Sequence, residues 1–369
     1  MRSRGRAAAL VLGSIAALGA ASFVPSSGVA ATDARAPHFS KHTAVAAGLD
    51  NPRQLSVAPN GDLIVAEAGH GGKNCQGQGQ NATCVGRTGA VATIDGKKVH
   101  VVVDGLLSGG SKDGSFAVGS DGAGKRAGGP YFAIITYAPQ DVIPDGLPGW
   151  QSGKLVKASK GGKVKPVASI TKFERANDPD GEGFDSDPYS LLVLRNQVLV
   201  ADAAGDFIAS VHGSKVSLWA LLPEYGKKVD AVPTVVTRGH DGKIYVGELH
   251  SEQPGKAKVW QYDRDGNVTD SWGHFTTVTG VDRTKDGTLY VSELFGGKCT
   301  LNQVPDCFPG RVVRVDPDGT RSYRKVPFPA GIVVNHGKVF VAAFSISPAS
   351  GFGGNPDWSG QVWRIFDKG

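Results

Sequence analysis

The strongest constraint on this chain is a short unit that it repeats. DGTLYVSEL at 286–294 has near copies in NGDLIVAEA at 60–68, NQVLVADA at 196–203, DGKIYVGEL at 241–249 and HGKVFVAAF at 336–344. A turn opens the unit, residues rich in Val, Leu, Ile and Tyr alternate through it, and a carboxylate closes it. That carboxylate is Glu67, Asp202, Glu248 and Glu293, with Ala343 at the same place in the last copy. Turn residues followed by period-two alternation read as strands of β-hairpins. From Asp202 onward the copies follow one another at intervals of about 45–50 residues, a spacing typical of propellers, solenoids and arrays.

The text around each copy completes a four-stranded unit. A first strand follows a proline in PRQL from Pro52, PYSL from Pro188, PTVV from Pro233 and PAGI from Pro329. Third strands read GAVATID from Gly89, KVWQYD from Lys258, GRVVRVD from Gly310 and GQVWRIF from Gly360, and a fourth reads KVHVVVDGL at 98–106. Four antiparallel strands per repeat make one propeller blade. The interval from Glu67 to Asp202 is nearly three times the others and leaves room for one more, degenerate blade, with strands expected at 131–138 and 153–159. The last repeat lacks a fourth strand, and SKHTAVAAGL at 40–49 resembles one. The expectation is an all-β six-bladed β-propeller over 38–367, closed by an N-terminal strand that completes the last blade and covers its edge. No tract shows helical periodicity.

The chain begins with Arg2, Arg4 and Arg6, an Ala-rich apolar run at 7–24 and small residues around 28–31. This is the pattern of a secretory signal peptide, expected over 1–31 with cleavage near Ala30 or Ala31. The run is broken by Gly13, Ser14 and Gly19 and is poor in Leu, Ile and Phe, which argues against a membrane anchor. The expected setting is therefore secreted, or extracellular. The net charge of +6 owes part of its excess to the leader's arginines, so no basic face for nucleic acid is indicated. Four cysteines fall as Cys75/Cys84 and Cys299/Cys307, each pair just after a repeated glutamate. An even count in an exported chain points to two local disulfides, Cys75–Cys84 and Cys299–Cys307.

Connection lengths locate function. Turns between first and second strands and between third and fourth are minimal, whereas those between second and third are long at 68–88, 138–152, 249–256, 294–309 and 345–359. In an up-and-down blade all of these emerge on one face, where binding is expected. The repeated carboxylates Glu67, Asp202, Glu248 and Glu293 end on that face. They could ring the channel mouth and hold calcium, which takes oxygen ligands, or each could accept backbone hydrogen bonds in its own loop. The link NDPDGEGFDSDP at 177–188 sets Asp178, Asp180, Glu182, Asp185 and Asp187 at near-alternate spacing, as in a calcium loop, without the full EF-hand order. A solvated acidic link has the same composition. His70 and His250 follow Glu67 and Glu248 closely and are the candidates for a general base or metal ligand. No GxSxG, HExxH or phosphate-loop motif accompanies them. Sequons stand at Asn81 and Asn267.

Taken together, the leader, GLDNPRQLSVAPNGDLIVAEAG at 48–69, the cysteine-bearing loop, TGAVATIDG at 88–96 and DSDPYSLLV at 185–193 resemble the ScyD/ScyE family of exported propeller-like proteins. That family takes its name from members in the scytonemin pigment gene cluster, and its molecular activity is not established. The resemblance spans nearly the whole chain after the leader. It implies a propeller and supplies no catalytic residues. Against this pattern the Gly- and Ser-rich segment 108–129 looks degraded. More distantly the repeats are similar to NHL repeats and to gluconolactonase/regucalcin and strictosidine-synthase-like proteins, which include metal-dependent lactone hydrolases. Two functions follow as expectations. One is a monomeric, non-catalytic protein that binds a small molecule or an extracellular protein through its long-loop face. The other is a calcium-dependent lactonase-type hydrolase or lyase.

Overall fold

The structure, a computed structural model, describes residues 39–77, 82–223 and 229–366. The leader at 1–31 and the sequon at Asn81 lie outside the described residues. After β1 (Thr43–Leu49) the chain forms six antiparallel sheets in succession. Blade 1 holds β2 (Pro52–Val57), β3 (Leu63–Glu67), a short β4 (Asn74–Gln76), β5 (Thr83–Asp95) and β6 (Lys98–Ser111). Blade 2 holds β7 (Ser120–Lys125), β8 (Tyr131–Ile135), β9 (Lys154–Ala158) and β10 (Lys165–Ser169), and α1 (Ile170–Asn177) follows it. Blade 3 comprises β11 (Pro188–Val193), β12 (Val198–Asp202), β13 (Phe207–His212) and β14 (Lys215–Leu221). Blade 4 comprises β15 (Pro233–Arg238), β16 (Ile244–Glu248), β17 (Ala257–Tyr262) and β18 (Val268–Phe275). Blade 5 comprises β19 (Val278–Arg283), β20 (Leu289–Glu293), β21 (Arg311–Val315) and β22 (Arg321–Lys325). Blade 6 has only β23 (Ile332–Asn335), β24 (Lys338–Ala343) and β25 (Gly360–Ile365) of its own, and β1 is its fourth strand.

The repeated unit is the second strand of blades 1, 3, 4, 5 and 6, and β8 takes that place in blade 2. β3, β12, β16 and β20 are buried at every residue, because a blade's middle strands are covered on both faces by its neighbours. The apolar interior is accordingly divided into a separate core at each seam. Ile64 and Val91 of blade 1 meet Ala133 and Val156 of blade 2. Phe132 and Leu155 meet Val200 and Phe207 at the next seam, and Leu199 and Ile208 meet Val246 and Trp260 at the one after. Tyr245 and Val259 pack on Val291 and Val313, and Tyr290 and Val312 on Val341 and Trp363. The last seam brings Val333 and Val362 back onto Leu55 and Val65, so the ring is closed. The clasp is β1 on β25, with Thr43 opposite Arg364 and Leu49 opposite Gly360.

Two elements depart from the sequence reading. Segment 108–129, for most of which no strand was expected, forms the end of β6 and the inner strand β7. Gly122 and Gly124 of β7 fit a crowded place against blade 3: a Cβ on Gly122 would stand 2.9 Å from both Ser190 Cα and Leu191 N. Apolar alternation is absent there because there is no room for it. The second departure is α1, an eight-residue helix where no helix was expected. Ser169 caps its N-terminus by accepting from Lys172 N, and Asp178 ends it in a left-handed conformation. So short a helix carries too few turns to show periodicity, and its buried face consists of Ile170, Thr171 and Glu174.

Candidate functional site

The long connections 68–82, 136–153, 249–256, 294–310 and 344–359 all leave from the ends of second strands and share one face with the blade-to-blade links. Both disulfides are on that face. Cys75 and Cys84 are bonded across the β4–β5 pair, and Cys299–Cys307 brackets a turn in blade 5.

The repeated carboxylates fasten links to blades. Glu67 accepts from Asp50 N at 2.7 Å, Asp202 from Asp187 N at 2.6 Å and Glu293 from Thr276 N at 2.7 Å. Glu248 instead accepts from Lys258 N and from the Trp260 indole. Arg311 is ion-paired to Glu293, and Ser186 donates to Asp202. Burial pushes the Glu67 carboxyl up to about 7, Glu248 to about 8 and Asp202 to about 6, against the hydrogen bonds that hold them down. In blade 2 the equivalent position is Ile135, which pairs with Ser120 as Asp202 pairs with Pro188.

A different set of residues faces the channel. In blades 1 to 5 the register between first and second strands slips just after the strand begins. The residues left between paired neighbours are Arg53 with Gln54, then Asp121, Tyr189, Thr234 and Thr279. Such a bulge re-aims its side chain. In blades 1 to 3 these side chains form one polar cluster. Arg53 Nε lies 3.3 Å from Asp121 Oδ1, and its other nitrogens donate to the carbonyls of Ser345 and Ala117. Thr136 donates to Asp187 at 2.5 Å. Burial pushes Asp187 up to about 7, with Asp121 and Asp202 adding to the effect, and the Tyr189 phenol up to about 12. Asp121 is also raised by burial, which the Arg53 guanidinium opposes. Two loops, 111–118 and 344–352, meet over this cluster through a bond from Phe116 N to Ile346 O.

Beside the cluster, at the blade 1–blade 2 seam, lies a cavity of about 400 Å³. Its walls are Val85 and Leu107 from the long ends of β5 and β6, Val118, Ile135, and Ala138 and Val142 from the 136–153 loop. Gln151 anchors that loop by accepting from Leu107 N at 2.8 Å. Thr136 lines the cavity and carries its polar link to Asp187. An aliphatic cavity with few convergent polar groups has the character of a small-molecule site.

The remaining candidates are scattered. His70 is half exposed and 2.5 Å from Asp50 Oδ2, whereas His250 is buried 3.8 Å from Glu248 Oε1 and pushed down by burial and by Lys258 and Lys256. They stand in blades 1 and 4 and form no joint site. Asp187 belongs to the channel cluster, while Asp178, Asp180, Glu182 and Asp185 gather at the end of α1. Among the described residues no three His, Cys, Asp or Glu side chains are placed close enough together to hold a metal ion. Sequence reasoning missed Arg53, Asp121, Tyr189 and Glu174. The sequence shows a residue after each strand-opening proline, but not the bulge that turns it inward.

No protein-family model matches the chain, and a search of curated proteins returns no match. Among solved structures, a calcium-binding protein, regucalcin, from Agrobacterium tumefaciens superimposes with a TM-score of 0.51 at 9% identity, over 89% of this chain and 94% of that one. A putative gluconolactonase gives 0.49 at 10% identity over 89% and 92%. A catalytically inactive virginiamycin B lyase from Staphylococcus aureus, with quinupristin, gives 0.46 at 11% identity over 88% and 99%. The chain is a six-bladed β-propeller. At such identities the likeness concerns the fold alone.

Proposed function

We propose that this protein is a secreted, non-catalytic binding propeller of the ScyD/ScyE type, and that it holds a small, mainly apolar molecule between blades 1 and 2. The carrying observation is the cavity of about 400 Å³ on the long-loop face, whose aliphatic walls end on Thr136. The Cys75–Cys84 bond braces the β4–β5 wall of this cavity, and two disulfides suit an oxidising, extracellular setting. The alternative, a calcium-dependent lactonase-type hydrolase or lyase, needs substrate to reach the channel mouth. There Arg53 and Asp121 are buried under two loops.

The test is fluorescence titration with 1-anilinonaphthalene-8-sulfonate, using the folded protein and an Ala138→Trp variant that fills the cavity. Saturable probe binding that the variant loses, at an unchanged melting temperature, is the expected result. Equal binding by both proteins would remove the cavity from consideration.

A further inference from the structure

The cavity at the blade 1–blade 2 seam touches the polar cluster of the channel at Thr136, and this contact decides what kind of polar group a guest can bring. Thr136 lines the cavity, and its hydroxyl donates to Asp187 Oδ1 at 2.5 Å. Asp187 is buried, and burial pushes it up to about 7. At pH 8 it is therefore a carboxylate, which accepts hydrogen bonds and has none to give. A threonine hydroxyl has one hydrogen and two lone pairs. With the hydrogen committed to Asp187, only lone pairs remain for the cavity. The backbone fixes Thr136 in this place, since its N–H donates to Gly119 O and its carbonyl accepts from Gly153 N.

The other polar groups of the inner wall are already engaged. Ser108 donates its hydroxyl to Ala68 O and accepts from Gly71 N. Gly109 and Val118 exchange backbone hydrogen bonds with each other, and Gly119 N donates to Asp121. Gln76 and Thr83 belong to the β4–β5 end of the cavity, where Gln76 is exposed. A guest thus meets aliphatic side chains over most of its surface and a hydrogen-bond acceptor at one inner position.

We propose that the guest of this cavity is a neutral, mainly apolar molecule carrying one hydroxyl or N–H donor, and that Thr136 Oγ1 accepts from that donor. The inference rests on the reading of the cavity as a binding site and adds the polarity of its specific contact. The bond to Asp187 strengthens Thr136 as an acceptor, because hydrogen bonds in a chain polarise one another. A guest with only an acceptor, such as an ether, sets lone pair against lone pair at the same position. A site arranged to bond a hydroxyl discriminates against the analogue that lacks it.

Three molecules on one skeleton separate these cases: p-cymene has no polar group, thymol has a hydroxyl, and thymol methyl ether has an acceptor alone. Their binding to the full folded protein is measured by calorimetry at pH 8, with Ala138→Trp as the filled-cavity control. The expected result is that thymol binds about tenfold tighter than its methyl ether, the worth of one hydrogen bond. Thr136→Val keeps the side chain's shape without the hydroxyl and should bring that ratio to about one, whereas Thr136→Ser keeps the preference. Should Thr136→Val not fold, the ratio in the parent and in Thr136→Ser decides alone. Equal binding of thymol and its ether by the parent, lost in Ala138→Trp, would overturn the inference and leave the cavity a binding site. A preference that persists in Thr136→Val would overturn it as well, since the donor is then accepted elsewhere. Binding of none of the three would overturn the inference and, together with a failed titration by 1-anilinonaphthalene-8-sulfonate, the reading beneath it.

Discussion

The two halves of the ring use the same backbone device for opposite ends. In blades 4 and 5 the bulge residues are Thr234 and Thr279, and each hydroxyl donates to a carbonyl of the next blade, Val278 at 2.5 Å and Pro329 at 2.8 Å. The polar group is consumed as a rivet between blades. In blades 1 to 3 the same position holds Arg53, Asp121 and Tyr189, which interact with one another and with Asp187. The bulge thus gives an address at the channel, and the residue placed there decides whether it rivets neighbouring blades or joins a charged cluster. Both the apolar cavity and the acidic link border the charged half.

The largest expected effect follows from breaking that half. Arg53→Met leaves the buried Asp121 carboxylate without its partner and should cost about 3–5 kcal/mol in chemical denaturation, whereas replacing both partners by apolar residues should cost far less. If the single and double variants are equally stable, the pair does not organise the cluster. In the other half, Thr279→Val removes one rivet and should cost about 1 kcal/mol by the same measurement. A loss as large as that of Arg53→Met would erase the contrast between halves. The smallest effect is one of slope. Asp187, raised to about 7 in the folded protein, binds more protons there than in the unfolded chain between the ordinary carboxylate range and pH 7. Its stabilising contribution is fully present below that range and is lost as pH rises through about 7. Melting temperature should therefore fall from pH 5 to pH 8, less steeply in Asp187→Asn. Identical slopes in both proteins would show that Asp187 is not a source of the dependence.

Much of the architecture was legible because the second strands β3, β12, β16 and β20 are squeezed between two blades and so record burial in every residue. LYVSE and IYVGE announce their place wherever they occur. The disulfides and the long-loop face were legible for a related reason, since loop length and cysteine position are counted along the chain. What stayed hidden depends on geometry across the chain. SDGAGK of β7 carries no apolar signal because neighbouring backbones exclude side chains there, and ITKFERAN of α1 is too short to display a period. Arg53 sits in plain view within PRQL, yet only the register slip against β3 aims it at Asp121. Glu174 stands on a helix too short to announce itself, and its burial comes from packing against Gly205 of blade 3.

The clasp between β1 and β25 has a mechanical consequence. The two strands run antiparallel, and Thr43, where the chain enters, is opposite Arg364, close to where it leaves. Tension applied to the two ends of the chain therefore peels this pair apart one rung at a time instead of shearing its rungs together. A ring that is well guarded against sideways association is, along the direction of pull, fastened like a zip.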